Sequence, residues 1–361
     1  MMLFKAFLLP SLIVHTALAQ CSGTAFANRT TWPNEQTSNV TKYLTQAEHL
    51  VTDPRLYQFF MDQCIVQQVY PQLFSQPAGY VKPFKAFDNL YFVGHTGVSS
   101  WAITTTEGIV LIDALNNQSE VDKVMLPMLT EMGLRGEDIK KIIVTHEHLD
   151  HYGGALYLQN KYNATVYGSA AFWNAIVALP ANATPPAPRR GEVVSDTVGV
   201  TLGNTAITVL ETPGHTLGTI SLSFPVSDNG VPHIAGLMGG TGTPAQKELR
   251  EMKVESGYRF AEFALERGID VLVSNHQVAD HAVQNADLLE HRAKDEPNPF
   301  VVGVQNFVNY LKINAVCSQV IAARQGMDLD VDRNHTLGQR ERRHFFGLAF
   351  GADGAEHECT H

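Results

Sequence analysis

The chain is poor in charge and in cysteine. Asp, Glu, Lys and Arg make up 17% of its 361 residues, against 44% hydrophobic residues. That balance belongs to a globular protein with a sizeable core, not to a disordered one. No run of five basic residues occurs and the formal net charge is −10, which makes nucleic acid and anionic membrane surfaces poor partners. The four cysteines, Cys21, Cys64, Cys317 and Cys359, stand singly, excluding zinc ribbons and Cys-x-x-Cys redox chemistry. Apart from a shorter run at the very start, no stretch approaches the roughly twenty apolar residues of a spanning helix. No short-period repeat is present.

The exception at the start is MMLFKAFLLPSLIVHTALAQ. Lys5, an apolar run from Ala6 to Val14 and the small-x-small Ala17-Leu18-Ala19 read as a secretory signal peptide over 1–19, cut after Ala19. Six Asn-x-Ser/Thr sequons, at Asn28, Asn39, Asn117, Asn163, Asn182 and Asn334, suit a secreted, extracellular, glycosylated chain. In an oxidising compartment the four cysteines predict two disulfides, with all three pairings open.

Apolar residues from Val40 to Phe74 recur at helical spacing, broken at Asp53-Pro54, and predict a helical N-terminal extension. Pro71 to Pro83 reads as a linker. NLYFVGHTGVSSWAITTTEGIVLIDAL, residues 89–115, alternates as strands with a hairpin turn at Glu107-Gly108. Helix is expected over 120–132, a buried strand over 140–145, helix over 154–161 and strand over 165–168. Strands follow at 198–212 (split at Gly203-Asn204), 218–226 and 233–238, then helix at 253–267 and strand at 270–275. A last helix, 299–324, would use Asn298-Pro299 as cap and first turn. Two halves of strands followed by helices imply layered α/β structure. The divisions expected are the signal peptide 1–19, an extension 20–84, a catalytic domain 85–295 and a C-terminal helical region and tail 296–361.

Chemistry concentrates in KIIVTHEHLDHYGG, residues 141–154. A β-branched strand ends at Thr145, and α/β proteins build sites at such carboxyl ends. His146 and His148 are two apart, so in extended backbone they point the same way and grip one ion. Asp150 and His151 reach a second position, and Gly153 and Gly154 let the backbone bend. TVLETPGHT (208–216) presents His215 at another strand end, and DVLVSNHQ (270–277) presents His276. Six candidate ligands, five imidazoles and one carboxylate, suit zinc. His281, five residues on, falls beyond the strand end. His95 in VGHTG reads as a hydrogen-bonded structural residue, and His49, His233, His291, His335, His344, His357 and His361 as surface. Tyr57, Phe59, Phe60, Phe307 and Tyr310 read as core or pocket wall.

His-x-His-x-Asp-His with Gly-Gly, then Pro-Gly-His-Thr and a later strand-ending His, resembles the metallo-β-lactamase superfamily over residues 85–285. The resemblance implies a four-layer αββα sandwich with a metal site at one edge of its sheets. His146, His148 and His215 would hold one zinc, and Asp150, His151 and His276 a second. Asp113, matching the strand-ending Asp, would hydrogen-bond a ligand histidine or the metal loop; the usual glycine two residues later is Leu115 here. GLMGGTGTP (236–244) carries no acid where lactonase-like relatives place a bridging Asp, and Thr241 stands about where other subclasses place a ligand Cys. The set most resembles the metallo-β-lactamase subclass that uses histidines with one Asp. That implies a hydrolase of a cyclic or activated amide or ester (lactam, lactone or thioester) in a small-molecule substrate. Two zincs would sharpen a shared water and polarise the carbonyl, with Asp150 orienting the water and carrying a proton, and Thr241 donating to the water or the carbonyl oxygen. The rival readings are an iron-dependent redox enzyme of the same fold, a nuclease disfavoured by charge, and a non-catalytic metal-binding protein.

Overall fold

The computed structural model describes residues 32–69, 79–293 and 295–331. The signal segment, Cys21, Cys359, Asn28, Asn334, residues 71–78 of the linker and the end of the chain lie outside the described residues. Helices α1 (Thr37–Glu48) and α2 (Pro54–Met61) come first. The Asp53 carboxylate accepts from the Arg55 amide at the head of α2, and Pro54 presets the backbone of the first turn. A π-helical turn, Asp62–Val66, carries α2 onward.

The first sheet holds, in spatial and chain order, β1 (Phe84–Phe87), β2 (Leu90–Phe92), β3 (Trp101–Thr105), β4 (Gly108–Ile112), β5 (Ile139–Ile143), β6 (Thr165–Gly168) and β7 (Glu192–Val193). It is antiparallel up to β4 and parallel from β4 to β7. Parallel neighbours need crossovers, which α3 (Leu126–Glu131), α4 (Leu149–Tyr152), α5 (Ala155–Tyr162) and α6 (Ala170–Val177) supply. The second sheet runs β8 (Val200–Leu202), β9 (Thr205–Glu211), β10 (Ile220–Asp228), β11 (Val231–Met238), β12 (Val271–Ser274). Its one parallel pair, β11 with β12, is bridged by α7 (Lys247–Arg267). After β12 come α8 (Gln277–Asp280), α9 (Ala282–His291) and α10 (Val304–Arg324).

The sheets pack face to face. Val110, Ile142 and Val166 of the first share one buried cluster with Val209, Leu222, Leu237 and Val273 of the second, and Leu129, Leu158 and Trp173 close it from the helices. A second cluster lines the other face of the second sheet, where Leu210, Met238 and Leu272 meet Phe260 of α7, Phe307 and Tyr310 of α10, and Phe59 of α2. Each such side chain contributes roughly 1.5–3 kcal/mol by leaving water. The layers are helix, sheet, sheet, helix, the αββα architecture expected. The N-terminal extension docks on α10, where Cys64 is bonded to Cys317 and Phe59 packs tilted against Tyr310 at 4.3 Å between ring centroids. Tyr57, by contrast, is exposed. No helix among the described residues is long and apolar enough to cross a membrane.

Three expectations are corrected. The last helix begins at Val304, not Pro299, because residues 300–303 are drawn to the sheet edge: Leu272 N donates to Phe300 O and Val302 N to Asp270 O. Asn298 is no helix cap; its amide donates to Ala86 O and accepts from Phe300 N. Helix α7 begins at Lys247, six residues before the apolar pattern starts, and its early buried side chains, Arg250 and Lys253, are polar. Helix α6, absent from the sequence reading, starts at the cap Ser169, whose hydroxyl accepts from Phe172 N.

Candidate metal centre

Strands β5, β9 and β12 end at one rim, and their following loops carry the six candidate ligands. Two groups form there: His146, His148 and His215, then Asp150, His151 and His276, with the ligand atoms of each group within 4.8 Å of one another. His148 Nδ1 lies 3.1 Å from His146 Nε2 and 3.1 Å from His215 Nε2. In the other group His151 Nε2 is 3.2 Å from His276 Nε2 and 3.2 Å from Asp150 Oδ2. The groups adjoin, with the His146 and His151 rings 4.0 Å apart. Tetrahedral zinc with bonds of about 2.0–2.1 Å sets its ligand nitrogens about 3.3 Å apart. Both groups fit that spacing.

The outer ring nitrogens explain why these rings hold still. His146 Nδ1 donates to Gly239 O at 2.8 Å, His215 Nδ1 to Gly242 O at 2.9 Å, and His276 Nδ1 to Gly97 O at 2.8 Å. A carbonyl only accepts, so each Nδ1 carries the proton and each Nε2 lone pair faces the centre. His151 Nδ1 instead meets the Asp113 carboxylate at 2.8 Å. Burial, and then the neighbouring imidazoles, hold His146 and His215 well below the ordinary histidine range, so both are neutral donors. For His151 burial works against charge, but Asp150 and Asp113 outweigh it and push the ring up to about 10.

A family model for the metallo-β-lactamase superfamily matches residues 93–228. Over those residues the chain matches that superfamily. Among curated relatives it is 35% identical over 92 residues to a hydroxyacylglutathione hydrolase of Thiobacillus denitrificans, spanning 26% of this chain and 32% of that protein. It is 31% identical over 99 residues to the enzyme of that name from Ruegeria pomeroyi, spanning 27% and 34%. The match thus covers about a third of these relatives. In fold the chain resembles the subclass B3 metallo-β-lactamase of Bradyrhizobium japonicum (TM-score 0.55, 24% identity, 64% of this chain and 90% of that one). It also resembles the native metallo-β-lactamase of Legionella gormanii (TM-score 0.60, 22% identity, 70% and 100%). At those identities the likeness is one of fold.

Set against the pattern of that superfamily, the departures are local. Asp113 has φ 61 and Leu115 φ 59, so the residue that replaces the usual glycine still adopts the left-handed backbone. Asp113 accepts from Thr145 N at 2.8 Å, Thr145 Oγ1 at 2.9 Å and His151 Nδ1. It holds the loop and one ligand at once. Asp113→Asn places an amide N–H against the His151 N–H, and is expected to weaken metal affinity at the Asp150–His151–His276 group by roughly 10–100-fold. Chelator competition measures this, and unchanged affinity would detach Asp113 from the centre. Gly153 is needed for space, not for an unusual φ: a Cβ there would lie 1.9 Å from Asn116 O.

Thr241 is buried, but what its loop presents to the histidines is the backbone carbonyls of Gly239 and Gly242. His281 pairs with Asp62 of the extension at 2.9 Å and lies outside both groups. His95 accepts from the amides of Gly97 and Val98 and stands 3.3 Å from Glu120, holding the turn whose carbonyl anchors His276. His233, expected at the surface, is partly buried against Asp270 at 2.6 Å. Asn163 and Asn182 are exposed, while Asn39 and Asn117 are half-buried.

Several residues escaped the sequence reading. Asn275 donates to Thr145 Oγ1 and Gly239 O, lacing the loop after β12 to those after β5 and β11; its place beside the strand-ending His276 was the available signal. Asp280 accepts from Ser274 N and Ala282 N behind that loop, and burial pushes its carboxyl well up. Lys253, fully buried, donates to Asn314 and Ser318 and is pushed down to about 7 by burial and then by Arg250. Nothing in its sequence setting marks it.

Proposed function

We propose that the protein is a secreted zinc hydrolase that holds two zinc ions and opens an activated amide, ester or thioester carbonyl in a small molecule. The observation that carries this reading is the set of nitrogens converging at 3.1 Å with outer nitrogens pinned to backbone carbonyls. When bound, a zinc pair brings water to a reactive form near neutral pH and polarises a carbonyl oxygen. His146, His148 and His215 would hold one ion and Asp150, His151 and His276 the other. Asp150 would orient the attacking water and take its proton to the leaving group. Leu149 and Leu217, each 45% exposed, stand beside the ligands and offer apolar contact to an uncharged part of the substrate.

Secretion is supported by the disulfide between Cys64 and Cys317 and by the exposed sequons at Asn163 and Asn182.

The test is metal analysis with a hydrolysis panel of chromogenic lactams, lactones and thioesters, including a hydroxyacylglutathione. Two zincs per chain and turnover of at least one class are expected. Stripping the metal with a chelator should reduce that turnover to background, and two equivalents of zinc should restore it. One iron per chain would point to redox chemistry instead. Silence of the zinc-loaded protein across the panel would leave a metal-binding protein without this activity.

A further inference from the structure

Glu147 separates two candidate ligands at a bend of the backbone, yet its side chain turns away from them. Its carboxylate crosses to the loop of the other sheet. Oε2 accepts the Thr216 hydroxyl at 2.7 Å and Oε1 accepts the Gly218 amide at 3.2 Å. That loop is closed on itself: Gly214 N donates to Thr216 O at 2.9 Å, and Thr216 N to Thr219 Oγ1 at 3.0 Å. His215 therefore moves with a preformed turn, and Glu147 is the side chain that ties the turn to the 146–148 segment. Gly218 leaves room for this, since a Cβ there would stand 2.3 Å from Glu147 Oε2 and 2.6 Å from Phe172 N.

Sixty-seven residues separate His148 from His215, and their loops leave different sheets. Three nitrogens meet only if the two loops keep one relative position. The other group is held by different contacts: Asp113 on His151 and Gly97 O on His276.

We propose that Glu147 is a positioning residue for the His146–His148–His215 group, clamping the His215 turn so that the three imidazoles converge on one metal ion. The inference rests on the metal reading given above. It predicts a loss confined to one of two sites, which a general loosening of the fold would not produce.

The experiment is a stepwise cobalt(II) titration of the full protein, read by visible absorption and by chelator competition. Wild type, Glu147→Ala, Glu147→Gln and His215→Ala are compared, with thermal unfolding of each metal-free form alongside. Wild type should fill two sites. Glu147→Ala should weaken one of them by roughly 10–100-fold, the cost typical of losing a partner that orients a ligand, and the absorption lost should match that lost in His215→Ala. Glu147→Gln keeps one carbonyl acceptor at the same reach and should recover part of the affinity. Wild type that binds no metal would sink the metal reading itself. Wild type with two sites, beside a Glu147→Ala variant that binds both unchanged or weakens both alike, would overturn the inference alone, as would a Gln variant no better than Ala.

Discussion

His148→Ala is expected to bind one zinc in place of two and to lose nearly all turnover. Zinc in a catalytic site takes three protein ligands and keeps a fourth position for water. His148 Nδ1 is 3.1 Å from both other nitrogens of its group, so its removal leaves two imidazoles and a gap where the third met both. Partners that only orient a ligand cost about 10–100-fold in affinity; loss of a ligand should exceed that, about a thousandfold or more, on the order of 4 kcal/mol. The unfolding temperature of the metal-free variant should stay close to that of metal-free wild type, because the half-buried His148 caps no core. Two zincs retained with full turnover would remove His148 from the centre.

Breaking the Cys64–Cys317 bond is expected to be the largest change in stability. The bond closes a separation of 253 residues, and chain entropy assigns about 5 kcal/mol to so long a loop, an upper figure since measured losses run from about 2 to 5 kcal/mol. A Cys64→Ser, Cys317→Ser double variant should melt roughly 3–7 °C lower in calorimetry. Activity at low temperature should persist, because α1 and α2 remain packed through Phe59, Phe60 and Ala47. An unchanged melting temperature would show that the extension is held by packing alone.

What could be read in advance follows from the range of the forces involved. The hairpin at Glu107-Gly108 and the strand at 165–168 are written in turn chemistry and alternation, both local. His146, His148, Asp150 and His151 are close in sequence and share one strand end, so their grouping was legible. His215 and His276 were found because each follows a strand. Beyond that, long-range contacts decided. Residues 299–303 carry a helix-start pattern, yet pairing with 270–272 draws them to the sheet. Helix α6 buries Phe172, Trp173 and Ile176, and AAFWNAIV shows too little alternation between apolar and polar to announce a helix. The buried Lys253 and the clamp formed by Glu147 depend on partners 61 to 71 residues away, which no local pattern encodes.

The most direct test of the central claim is an anomalous difference map at the zinc edge from crystals of the zinc-loaded protein. Two peaks are expected, about 3.5–4 Å apart as in paired-metal sites. One should lie among His146 Nε2, His148 Nδ1 and His215 Nε2, and the other among Asp150, His151 Nε2 and His276 Nε2. A map with no peak at this rim, or with the imidazoles of His215 and His276 swung away from the 146–151 loop, would contradict the account.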